Sequence, residues 1–202
     1  MPPSTFTPFA GRRVALVTGA GSGIGRAIAF RLASDGYSVA LNDIPGNKEA
    51  LEALSAEITG GEKDSVHPEW EVQKVAVLCA DVTDEDAVKD MVEGCVRELG
   101  RLDVMVANAG IGAAPEPIYQ ATIKNYRRVW SVNVEGVLFC YKYASIQMIK
   151  QGNGGRIIGA SSIVGKKGYK NFGSYSTSKF AIRALTQTSA QELDEFGITV
   201  NA

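Results

Sequence analysis

Tyr175 and Lys179 stand four residues apart in a stretch with helical periodicity, so a phenol and an ammonium share one helix face within mutual reach. The chemistry such a pair offers is proton transfer. A free phenol, with a pKa near ~10, is too weak an acid for efficient general acid-base work near neutrality, and a fixed cation beside it favours the phenolate. Ser162, upstream at the end of an apolar run, is placed to supply the hydrogen bond that holds a substrate oxygen against the phenol. Taken alone, Tyr-x-x-x-Lys also arises by chance in many helices as a solvated tyrosine beside a surface lysine. The pair therefore needs a second signal.

That signal lies near the amino terminus, in Val14-Ala-Leu-Val-Thr-Gly-Ala-Gly-Ser-Gly-Ile-Gly25. An apolar run enters a glycine-rich turn and continues as Arg26-Ala-Ile-Ala-Phe-Arg-Leu-Ala33 with helical periodicity. Gly19 allows the tight turn, Gly23 lets backbone approach a phosphate, and Gly25 permits close packing of helix on strand. The helix start then offers free N–H groups and a positive dipole end to a pyrophosphate. A second apolar run ends at Asp43, where the adenosine ribose of a dinucleotide would arrive. Asp43 is expected to read the two ribose hydroxyls. A 2′-phosphate would meet its carboxylate as a like charge, and neither Ser22 nor Ile44 supplies a compensating cation, so NAD is favoured over NADP. A glycine-rich turn alone could be a plain loop, and Asp43 alone a turn former. Together with the helical pair, chance explains them poorly.

The elements that must position these residues follow from the alternation of short β-branched runs with helical segments, the pattern of a parallel sheet covered by helices on both faces. The spacing predicts strands over Val14 to Thr18, Ser38 to Asp43, Val75 to Ala80, Val104 to Ala107, Arg156 to Ala160 and Ile198 to Asn201. Helices are predicted over Gly23 to Ser34, Lys48 to Ile58, Asp84 to Leu99, Ile123 to Lys150 and Tyr175 to Glu195. The fold class is thus α/β, a doubly wound, Rossmann-like parallel sheet of about six strands, in one domain spanning 1–202. Thr83, with Asp86 three residues on, reads as an N-cap with an acidic first turn. The polar, glycine- and proline-punctuated stretch from Gly60 to Val72 reads as an exposed excursion, in which packing of Trp70 on a hydrophobic edge is favoured over a place near the adenine. The segment from Ile123 to Lys150 is apolar on more than one face, which suggests a partner subunit and hence a homodimer or homotetramer.

Composition narrows the function classes. Among 202 residues, 21 basic against 22 acidic side chains leave a formal net charge of -1, which argues against a nucleic-acid binder. Cys79, Cys95 and Cys140 lack metal-ligand spacing and His67 is the single histidine, so no metal site is expected. The first ten residues lack a basic start and an apolar h-region, and no stretch reaches the ~18 apolar residues of a membrane span. A soluble protein of the reducing cytoplasm is expected.

These residues, in order and spacing, resemble the short-chain dehydrogenase/reductase family, in its branch with Thr-Gly-x-x-x-Gly-x-Gly and Tyr-x-x-x-Lys. Thr18 to Gly25 matches the cofactor turn, Asp81-Val82 the adenine contact, and Asn108-Ala109-Gly110 the motif after the fourth strand. Asn133 matches the helix asparagine, and Ser162, rather than Ser161, matches the catalytic serine by its interval to Tyr175. The resemblance implies cofactor binding by Gly19, Ser22, Gly23, Ile24, Gly25, Asp43, Asp81, Val82, Asn108, Ala109, Gly110, Tyr175 and Lys179. It implies catalysis by Asn133, Ser162, Tyr175 and Lys179 on a small secondary alcohol or ketone. Within the family the chain looks most like the diacetyl/acetoin (butanediol) dehydrogenases. Members continue beyond the strand ending at Asn201 into a substrate lid and a last strand, so a C-terminally truncated form is expected. Its alternative reading is a catalytically impaired nucleotide-binding or dimerising module.

Overall fold

The aliphatic run of β1 (Val14–Thr18) is buried at every position, as a strand covered on both faces must be. Its side chains divide by the period of two. Val14 and Leu16 join one apolar cluster, and Ala15 and Val17 join the other. Each fully buried leucine, isoleucine or valine contributes about 1.5–3 kcal/mol, so these clusters hold the layers together. The computed structural model describes residues 11–60 and 73–202. The reading of the first ten residues, and that of the excursion with His67 and Trp70, lie outside the described residues.

The elements follow in the order α1 (Gly23–Ser34), β2 (Ser38–Asp43), α2 (Lys48–Thr59), β3 (Val75–Cys79), α3 (Glu85–Leu99), β4 (Val104–Ala107), α4 (Ile123–Trp130), α5 (Gly136–Gln151), β5 (Gly155–Gly159), α6 (Gly173–Leu193) and β6 (Ile198–Asn201). All pairings are parallel, in a six-stranded sheet of order β3-β2-β1-β4-β5-β6. The α1 and α2 side chains Ala29, Leu51 and Leu54 pack on one sheet face, and Met91 of α3, Tyr141 of α5 and Ile182 of α6 pack on the other. The strand order reverses between β1 and β4. The crevice beyond their carboxyl ends is where such sheets bind ligands.

Three local expectations need correction. The segment predicted as one helix from Ile123 is interrupted by a π-helical turn over Ser131–Glu135. Two features accompany that extra-wide turn: Gly136 runs so close to Val82 that an added Cβ would stand 2.8 Å from Val82 Cγ2, and Asn133 is anchored to the backbone of Ile111. The N-cap of α3 is Asp84, whose carboxylate accepts from the Ala87 N–H at 3.1 Å. Thr83 is instead taken up by Asp81, to which its N–H and hydroxyl both donate. The last helix begins at Gly173, two residues before the predicted start, and ends at Leu193. Asp84→Ala should lower the stability by about 1 kcal/mol and Thr83→Ala by less, as read from urea midpoints.

Candidate active site

The crevice is built by hydrogen bonds between the ends of β1 and β4. Thr18 Oγ1 accepts from the N–H groups of Asn108 and Ala109, both at 3.0 Å. The Asn108 amide returns a bond to the Thr18 carbonyl at 2.9 Å. Gly19 and Gly23 both hold positive φ, +67° and +53°, a backbone region that side chains disfavour. Gly25 is needed for a different reason: a Cβ there would overlap the Gly19 carbonyl and the Asn108 amide. This exposed backbone, opening into the amino end of α1, fits a dinucleotide's pyrophosphate.

A cleft of about 650 Å³ runs across these strand ends. Its lining unites Gly19, Ser22, Gly23, Ile24 and Gly25 after β1, Asp43 after β2, Asp81 and Val82 after β3, and Asn108, Ala109 and Gly110 after β4 with Tyr175 and Lys179 of α6. Asp81 Oδ1 is occupied by Thr83, while Oδ2 has no partner among the described residues. Lys179 is 4% exposed, and its Nζ lies 5.6 Å from the Tyr175 ring centroid while donating to the Ala160 carbonyl at 2.7 Å. One of its three donors is thus spent. Burial pushes the Lys179 ammonium below the ordinary lysine range, since desolvation disfavours charge.

Two sequence-predicted residues lie outside that lining. Asn133 is fully buried and acts through its neighbours: its Oδ1 accepts from Ile111 N–H at 2.8 Å, and its Nδ2 donates to the Ile111 carbonyl and to Ser178. It ties the loop after β4 to α6 through the π turn. Ser162 Oγ accepts from the Val164 N–H at 3.3 Å, and of these two adjacent serines it is Ser161 that lines the cleft.

Asn42, Asn47, Ala80, Ile111, Gly112, Arg128, Val132 and Ala160, which sequence reasoning did not assign to the site, also line the cleft, as do Ile44, considered there only as a possible cation position, and Ser161, set aside there for Ser162. Ala80, Ile111 and Ala160 follow strand ends, a position that could have flagged them. Asn42 stands at such a position too, beside Asp43. It is buried at the end of β2, where its amide donates to the Leu78 and Ala80 carbonyls at 2.8 and 3.2 Å. Among the described residues no group of three metal-ligating side chains occurs. Burial pushes the Cys95 and Cys140 thiols up to about 12, leaving them as neutral packing groups. No helix among the described residues is long and apolar enough to cross a membrane.

Comparison with known proteins bears on this site. A family model described as short chain dehydrogenase matches residues 13–202. A short-chain dehydrogenase/reductase of Armillaria gallica is 50% identical over 94% of this chain and 69% of its own length. A diacetyl reductase ((S)-acetoin forming) of Staphylococcus epidermidis is 41% identical, with 94% of this chain and 69% of its length covered. A crystal structure of NAD+-bound xylitol dehydrogenase superposes with a TM-score of 0.84 at 38% identity, over 95% of this chain and 69% of that one.

Proposed function

The chain belongs to the short-chain dehydrogenase family, and from that premise we propose that it interconverts a small secondary alcohol and its ketone, using NAD, with Tyr175 as the proton carrier. As a family member it is an NAD(P)-dependent oxidoreductase acting on CH–OH or C=O groups. One observation carries the finer reading: Tyr175 and Lys179 share a single cleft with the glycine turn and Asp43. When bound, the nicotinamide ring supplies the hydride for reduction or takes it in oxidation.

The chain's own residues then divide the remaining work. The Gly19 to Gly25 turn, with Ser22 and Ile24, receives the pyrophosphate. Asp81 and Val82 take the adenine, Asn108 to Gly110 form the floor, and Asp43 accepts from the adenosine ribose. In reduction, Tyr175 gives its phenolic proton to the carbonyl oxygen, which becomes the alcohol hydroxyl. In oxidation the Tyr175 phenolate oxygen takes the proton from the alcohol hydroxyl. Ser162 orients the substrate oxygen. Lys179, with donors to spare, holds the nicotinamide ribose hydroxyls and stands as a cation beside the phenol. Asn133 holds the segment through which a water reprotonates Lys179 from solvent.

Similarity to the diacetyl reductase supports vicinal diketones and hydroxyketones as the substrate class. The Asp43 carboxylate supports NAD over NADP. Trp130, Leu138, Ile146 and Ile149 are exposed along α4 and α5, which supports a homodimer or homotetramer. Free buried thiols at Cys95 and Cys140 suit the cytoplasm.

Titrating NAD calorimetrically while following NADH oxidation with a panel of small diketones and hydroxyketones tests the reading. Binding together with turnover is expected. Binding with no turnover on any member of the panel would overturn it in favour of a nucleotide-binding module.

A further inference from the structure

Asn47 does not do what an asparagine at its position ordinarily does. It occupies the N-cap position of α2, where its side chain would accept from a free helix N–H, yet it makes no side-chain cap bond. Its amide turns instead to Asp43: Nδ2 donates to Asp43 Oδ1 at 2.9 Å. The carboxylate receives two further bonds, from the Ile44 N–H onto Oδ1 and from the Gly21 N–H onto Oδ2, both at 2.9 Å. Space reinforces the arrangement. A Cβ at Gly21 would stand 2.9 Å from Asp43 Oδ2 and 3.4 Å from Asn47 Cβ, so glycine alone lets the turn, the carboxylate and the amide meet.

An ionised carboxylate has about four acceptor positions. Here both on Oδ1 are taken and one on Oδ2 remains. A carboxylate held from both oxygens cannot rotate away from whatever arrives. A ribose hydroxyl donates to the remaining position. A 2′-phosphate has only acceptor oxygens and negative charge to offer, and meets a fixed like charge. Without the amide, one anchor is lost and the carboxylate is freer to swing aside.

We propose that Asn47 is a positioning residue for cofactor choice, its amide pinning the Asp43 carboxylate in the orientation that leaves one Oδ2 position to a ribose hydroxyl and rejects a 2′-phosphate. The inference rests on the reading of Asp43 as the ribose acceptor. It adds that the selectivity resides in a three-residue unit, Gly21, Asp43 and Asn47, rather than in the carboxylate alone.

The test is a double-mutant cycle on binding, which needs no turnover. Dissociation constants for NAD and NADP are measured by calorimetry on the full chain, on Asp43→Ala, on Asn47→Ala and on the double variant. Asn47 is exposed, and its variants are checked for folding by circular dichroism. Asp43→Ala should collapse the preference for NAD. Asn47→Ala should lower the NAD-to-NADP affinity ratio roughly three- to tenfold, the size of one ordinary solvent-exposed hydrogen bond. Asn47→Leu, which keeps bulk and drops the donor, should do the same. In the Asp43→Ala background, Asn47→Ala should change nothing further, since its effect passes through the carboxylate.

If Asp43→Ala collapses the ratio but Asn47→Ala leaves it within about twofold, or if the two effects simply add, the pinning role is wrong while the ribose reading stands. If Asp43→Ala leaves the ratio unchanged, the ribose reading itself fails and the inference fails with it.

Discussion

Tyr175→Phe should lower kcat by roughly 10²- to 10⁴-fold, the range for removing a general acid-base group, while NAD affinity stays within about twofold. The reasoning starts from what the substitution leaves in place. The ring, its packing on α6 and its position 5.6 Å from Lys179 Nζ are retained, and only the exchangeable proton is removed. The turn from Gly19 to Gly25, Asp43 and the Thr18–Asn108 cross-link are untouched, so the backbone proposed to receive the dinucleotide keeps its shape. Loss confined to kcat is the signature of an interaction made at the transition state. Steady-state oxidation of NADH with a ketone the parent reduces, alongside calorimetric titration of NAD, checks both halves. A Phe variant that turns over at a rate comparable to the parent would remove Tyr175 from the mechanism. A variant that lost NAD binding in proportion to kcat would assign the phenol to cofactor binding instead.

Gly25→Ala is expected to have the largest effect on the scaffold. Its new methyl would occupy space held by the Gly19 carbonyl and the Asn108 amide. Neither neighbour is the free end of a flexible side chain. The carbonyl belongs to a turn already committed to positive φ, and the Asn108 amide is bonded to the Thr18 carbonyl across the crevice. Relief therefore requires α1 to move off β1 or the β1–β4 tie to break. Overpacking of this kind costs about 3 kcal/mol, near the upper end of its usual range. NAD affinity should fall about 100-fold or more, because a shift of the turn misplaces the N–H groups that face a phosphate. Gly46→Ala is the control. A Cβ at Gly46 meets nothing within 4 Å, and its urea midpoint should correspond to a change within about 0.5 kcal/mol. Equal stability of the two variants would show that the close approach at Gly25 carries no constraint.

Much of the architecture was legible in the chain because it depends on repeating local choices. β1 and β2 run over the very residues their sequence predicts, since continuous aliphatic runs bounded by turn formers have no other stable home than a sheet covered on both sides. The periodicity of α1 and the glycine spacing before it likewise left little freedom. Expectations drifted where two local solutions were close in energy. Thr83 and Asp84 are both good caps, and the choice fell to Asp84 because Asp81 engages Thr83. The helix from Ile123 looked continuous because a π turn changes one hydrogen-bond step without altering composition.

By itself, then, the amino-acid sequence determined the strand-turn-helix that opens the cleft, the acidic end of β2 and the spacing that sets Tyr175 and Lys179 on one face. Each of these is a short-range consequence of residue type and period. Tertiary structure alone decided which loops meet across the crevice: Gly21 with Asp43 and Asn47, Asn133 with Ile111, Asn108 with Thr18, and Lys179 with Ala160. Most of these partners lie tens of residues apart. The physical reason is that a buried or crowded polar group bonds to whichever donor or acceptor the packed layers bring within about 3 Å, and the order of strands in the sheet, rather than any local pattern, sets which one that is.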